Sequence, residues 1–130
     1  MLVVKKNAEE FYSEIRKLFP EIHEHSMWDE FSYEGEPPSN AGILTSIAEV
    51  VIEWTINGEF EEVEKILAFI EQGYQDFRDD IMCYVYTDFH PTIIATEIIG
   101  VRERIKVMMG AKTKLHYDQL IDLGFYAEHE

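Results

Sequence analysis

The sequence predicts an all-α fold, on three observations. Apolar residues recur at i, i+3, i+4 and i+7 along most of the chain, the spacing of a buried helical stripe. The helix breakers Pro20, Gly35, Pro37, Pro38, Gly58, Gly73, Pro91, Gly110 and Gly124 fall between the stripes. Runs that suggest strands, Val50-Val51-Ile52 and Ile93-Ile94, sit inside windows longer than about 15 residues that keep the 3.6-residue period, which decides for helix. With 130 residues the chain is sized for one domain, spanning 1–130.

Asn7 caps a first helix running to about Leu18, whose stripe is Phe11, Ile15, Leu18 and Phe19. Pro20 suits the first turn of a second helix, Glu21 to about Phe31, with Ile22, Met27, Trp28 and Phe31 apolar. Ser32 to Asn40 reads as a loop, and Ser39 or Asn40 caps the next helix, Ala41 to Ile56. Its stripe is Ile43, Leu44, Ile47, Val50, Val51 and Trp54, which places Trp54 in the core. Asn57-Gly58 stops it, and a helix over 60–72 follows with Phe60, Val63, Ile66, Leu67 and Ile70, ended by Gly73. Short connections make 41–56, 60–72 and 77–87 successive antiparallel neighbours. The run from Asp76 to about Thr87 is apolar or aromatic on most faces and is expected to be central. Pro91 separates it from a helix over Thr92 to Met109, closed by Gly110, and a last helix spans about Lys114 to Leu123. About seven helices in consecutive antiparallel hairpins imply an irregular bundle or a short α-superhelical array.

Acids outnumber bases 26 to 11, a formal charge of -15, while 46% of residues are apolar, so the chain is a folded acidic globule and not a disordered tail. Such a charge repels nucleic-acid phosphates and anionic membranes, because affinity for them comes from Lys and Arg. The single cysteine, Cys83, forms no internal disulfide, and no Cys/His set has zinc-finger spacing. Met1-Leu2-Val3-Val4-Lys5-Lys6 puts apolar residues before charge, the reverse of a signal peptide, and no segment nears the roughly 20 apolar residues of a membrane span. The expectation is a cytoplasmic protein with Cys83 reduced and buried.

Chemistry finds little support. Glu21, His23, Glu24, His25 and Asp29 cluster, but on a helix His23 and His25 point to different sides, so surface electrostatics explains them better than a metal. The pairs Glu49/Glu53 and Asp76/Asp80 lie opposite apolar stripes and read as solvated faces, not as an acid–base pair. Cys83 and His90 match no nucleophile–base signature, and His90-Pro91 reads as a helix boundary. Glycines are dispersed singly, without a phosphate loop. The expectation is therefore no enzyme, no cofactor and no metal.

Charge placement is more informative. Residues 39–90 hold eleven acids against Lys65 and Arg78, a net of -9, whereas 91–130 hold six acids against five bases, a net of -1. One-signed charge on a low-dielectric surface speeds encounter with an opposite partner and costs stability through self-repulsion. Tyr33, Tyr74, Tyr84, Tyr86, Tyr117 and Tyr126 are interspersed with acids, as interfaces favour, although core packing is the commoner fate of any one aromatic.

The stretch Gly58-Glu59-Phe60-Glu61-Glu62-Val63 through Ile66-Leu67-Ala68-Phe69-Ile70-Glu71, followed by Asp79-Asp80-Ile81 and Tyr84-Val85-Tyr86, resembles small acidic helical bacterial immunity proteins. The group suggested is the neutralisers of contact-dependent growth-inhibition toxins, and the likeness covers mainly residues 41–90. It implies a non-catalytic protein that binds a cognate basic toxin domain, often a nuclease, and covers its active site. It transfers no site residues. From charge alone, Glu49, Glu53, Asp79, Asp80 and Asp88, with Tyr86 as an aromatic anchor, are the candidate partner contacts. The alternative is a helical adaptor or regulatory domain that takes a peptide or partner helix in an apolar groove; a metal-dependent hydrolase is weaker.

Overall fold

The computed structural model describes residues 4–23, 39–98 and 100–123, and this part is all-α. The β-type pairing among the described residues is an isolated parallel bridge between Lys6 and Phe77. Helix α1 (Ala8–Leu18) opens on a capping box in which Asn7 Oδ1 accepts from the Glu10 N–H at 3.0 Å and Glu10 Oε1 accepts from the Asn7 N–H at 3.3 Å. Phe11 and Ile15 are buried, whereas Leu18 faces solvent, against the expected stripe. Pro20 starts the short α2 (Pro20–His23), where its missing N–H is one of the helix's unpaired donors in any case. The rest of the second expected helix and the loop as far as Pro38 lie outside the described residues.

Helix α3 (Asn40–Ile56) is capped by Ser39, whose Oγ accepts from Gly42 N–H at 3.1 Å. Its residues are buried on several sides, from Gly42 to Thr55, and α3 packs against α2, the 60–76 helix, the 79–94 run and the 101–108 helix. The hub of the bundle is thus α3, not the 76–87 segment, whose Cys83 and Thr87 face outward. Cys83 is exposed, correcting the expected burial: its helix turns Ile81 and Met82 into the core and leaves the next position outside. Trp54 is 8% exposed, in the core as expected.

After the Asn57–Glu59 turn, in which Gly58 takes a φ of +79° that only glycine adopts without strain, α4 (Phe60–Asp76) packs on α3. It passes through Gly73 instead of ending there. A Cβ at Gly73 would come within 2.9 Å of Met82 Cε, so this glycine serves a close approach between α4 and the next helix. Phe77 and Arg78 are extended and pair with Lys6, so α5 (Asp79–Tyr84) starts later than expected. It runs through a π-turn (Val85–Phe89) into α6 (His90–Ile94). Pro91 does not break this rod, because it sits in the first positions of α6, where the ladder has already widened to the His90 N–H to Val85 C=O bond.

The expected helix over 92–109 is two pieces. Helix α6 ends at Ile94, and α7 (Val101–Met108) begins after Gly100, whose φ is +85°. Arg102 Nη1 donates to the Ile94 carbonyl at 3.0 Å, tying the pieces across the break. Helix α8 (Ala111–Asp122) starts three residues earlier than expected.

Candidate binding surface

Six residues were expected to meet a partner, and the structure divides them. Glu49 lines an open cleft between α3 and α6, together with Ile52, Pro91, Thr92, Ala95 and Thr96. Glu53, one turn on along α3, is exposed. Asp88, on the π-turn that packs closely on α3, accepts from Thr87 Oγ1 at 2.7 Å, and its main-chain oxygen accepts from Thr92 Oγ1 at 2.8 Å. Asp79 and Asp80 stand apart, at the first turn of α5. Asp79 pairs with Lys5 at 3.2 Å and Asp80 with Arg78 at 3.0 Å, both on the surface. Tyr86 is half-buried and meets the His116 ring edge-on at 5.8 Å, towards α8. The acids therefore define two patches, one at the α3–α6 cleft and one at the α5 start, and Tyr86 belongs to neither.

None of the eleven acids between 39 and 90 is buried. Several of them have local duties: Asp79 and Asp80 as above, Glu62 pairing with Lys65 at 3.3 Å, Asp76 accepting from Gln72 Nε2 at 3.4 Å, and Glu71 accepting from the start of α8. Glu49 and Asp88 form no ion pair among the described residues.

A polar cluster under α8 escaped the sequence. Gly110, at the N-cap of α8, has no side chain to receive the helix's first amides. Glu71 of α4 does it from outside, accepting from Lys112 N–H and Thr113 N–H at 2.9 Å each and from Thr113 Oγ1 at 2.7 Å. Burial opposes ionisation of Glu71, but the Thr113 and Lys112 hydrogen bonds outweigh it and hold the carboxyl below its ordinary range. Tyr74 Oη hydrogen-bonds His116 Nδ1 at 3.3 Å, and burial pushes Tyr74 up to about 12. Burial likewise lowers His116, with Lys112 adding to the effect.

His90 is fully buried between Phe89 and Tyr117, and neither ring nitrogen has a hydrogen-bond partner. Burial lowers its pKa to about 4, and His116 pushes the same way; the nearby Thr113 main chain opposes weakly without completing a hydrogen bond. His90 thus lies inside the bundle, whereas Glu71 is partly exposed and lines an open cleft with Glu64, Ala68, Gln72, Val107, Met108 and Gly110, its carboxylate occupied there by the start of α8. Among the described residues no group of three or more His, Cys, Asp and Glu is placed to hold a metal. Of the suspected metal cluster, Glu24, His25 and Asp29 lie outside the described residues, as does the side chain of His23. No described helix is long and apolar enough to cross a membrane. The chain matches no known protein family, no curated protein and no solved structure.

Proposed function

We propose that the protein is a non-catalytic binding protein of the immunity or inhibitor kind, which takes a basic toxin domain, a nuclease by preference, against its acidic face and blocks that domain's active site. The observation that carries this reading is the net of -9 over residues 39–90 with every acid at least partly exposed. A surface that repels phosphate competes well for a cleft built to bind it. The contact centres on the α3–α6 cleft, which Glu49, Ile52 and Pro91 line, with Glu53 one turn on along α3 and Asp88 one turn before Thr92 as flanking charges. The same cleft favours the second reading, an adaptor that seats a peptide. The setting implied is cytoplasmic.

The test is co-expression with a basic nuclease toxin domain, sought first among the neighbouring reading frames, scored by cell survival and by association rate in vitro. Glu49→Lys with Asp88→Lys is expected to lose protection. Association of the unaltered chain is expected to slow as salt shortens the Debye length from about 10 to about 3 Å. Full protection by the reversed variant would overturn the surface. Binding of an uncharged apolar peptide in the cleft, insensitive to salt, would favour the adaptor.

A further inference from the structure

Among the described residues, Ser46 and His90 are buried polar side chains without a hydrogen-bond partner, and of the two only His90 can take up a proton near neutral pH. His90 is the first residue after the π-turn, is 0% exposed, and sits edge-on to Tyr117 of α8 with ring centroids 5.7 Å apart. A neutral imidazole has one N–H to donate and one lone pair to fill, and here both are unmatched. A charged ring would need two acceptors. The groups facing it are His116, Tyr117 and the Thr113 main chain, all of α8, and none is an acid.

The other charges nearby are turned elsewhere. On α4, Glu71 is committed to Lys112 and Thr113, and Tyr74 to His116. On the π-turn, Asp88 accepts from Thr87 and Tyr86 faces His116. On α3, Glu49 lines the outer cleft and Glu53 is exposed; on α7, Arg102 is tied to Ile94. No carboxylate among the described residues is positioned to receive a proton-bearing His90.

From this geometry we propose that His90 is an acid-sensitive latch: uncharged, it lets α8 close on the π-turn, and protonated, it releases α8. This holds whatever the acidic face binds. Opening restores water to the ring, so the open state takes up the proton at the ordinary histidine value near 6.5 and the closed state only at about 4. The sign follows: closure is unopposed above pH 6.5 and weakens as pH falls from there towards 4. At pH 5 the open fraction is expected to rise about 20-fold over its value at neutral pH.

Amide hydrogen exchange on the whole chain tests this, at neutral pH and pH 5, corrected for the intrinsic pH dependence of exchange. Expected is a loss of protection of about 20-fold confined to α8 and the π-turn, retained in His116→Gln and largely abolished in His90→Leu. Equal loss across α3 and α4, or an unchanged loss in His90→Leu, overturns the latch. If His90→Leu does not fold, histidine ring NMR of the unaltered chain decides. His90 remaining neutral down to pH 5 while α8 amides open supports the latch, and His90 titrating near 6.5 overturns it.

Discussion

Replacing Glu71 by alanine strips α8 of the acceptor for its first amides. Three hydrogen bonds of 2.7–2.9 Å are lost, two of them main-chain donors at a helix start. Loss of an N-cap costs about 0.5–2 kcal/mol, and hydrogen bonds to a charged group are worth about 1.5–3 kcal/mol each. Glu71 is only partly buried, and the freed amides regain some water, so the net cost is expected near 2 kcal/mol, well below the sum. With roughly 2.1 cal/mol/K of unfolding entropy per residue over 130 residues, that is a fall in Tm of about 7 °C. Circular-dichroism melts measure it. The Glu71 carboxyl titrates below its ordinary 4.5, so its contribution is complete above that pH and lost as pH falls through the folded value. The gap between the two chains should therefore narrow in acid. A gap under about 2 °C at neutral pH, or one unchanged in acid, would refute the capping role.

Gly110→Ala sets a Cβ 2.5 Å from the Glu71 carboxyl, so it is expected to displace the same cap, and its cost should shrink when Glu71 is already alanine; a double-mutant cycle by thermal melts reads this. Trp54→Ala is expected to cost about 3–5 kcal/mol in urea unfolding, and a loss under about 1 kcal/mol would place Trp54 outside the core. Asp79→Lys with Asp80→Lys breaks two surface ion pairs and puts positive charge at a helix start, so about 1–2 kcal/mol of stability should go, measured by denaturant midpoint. Glu49→Lys with Asp88→Lys should leave the midpoint nearly unchanged, making it the cleaner probe of binding. Chelator is expected to leave Tm unchanged; a fall of several degrees would point to Glu21, His25 and Asp29.

What could be read from the chain was what local rules govern. The Asn7 cap, the stripe of α3 and the Asn57-Gly58 turn are short-range features, and the structure keeps them. Gly73 and Pro91 misled because each has two uses. A glycine permits a close approach as readily as a stop, and a proline is tolerated once a π-turn has displaced the ladder. The acidic surface was legible because charge is counted without geometry. The trans cap was not, since Glu71 and Thr113 are 42 residues apart; the available signal was a helix beginning on Gly110 with no acceptor of its own. Nor was His90, because an imidazole's want of partners shows only when every neighbour is placed.

The lysines ahead of α1 bear on the order in which the chain assembles. Lys5 Nζ reaches the Tyr74 carbonyl, 69 residues on, and Lys6 exchanges main-chain bonds with Asp76 and Arg78. Helices α3 and α4 meet across a three-residue turn and pay almost no loop-closure entropy, so they are placed to form the early nucleus. Helix α1 can dock only after the α4–α5 corner exists to receive it, with Phe11 seated against Phe77 at 5.1 Å. Its contacts are therefore expected to form late, so that Phe11→Ala should speed unfolding more than it slows folding, and the N-terminal segment would then set how long the protein stays folded more than how fast it gets there.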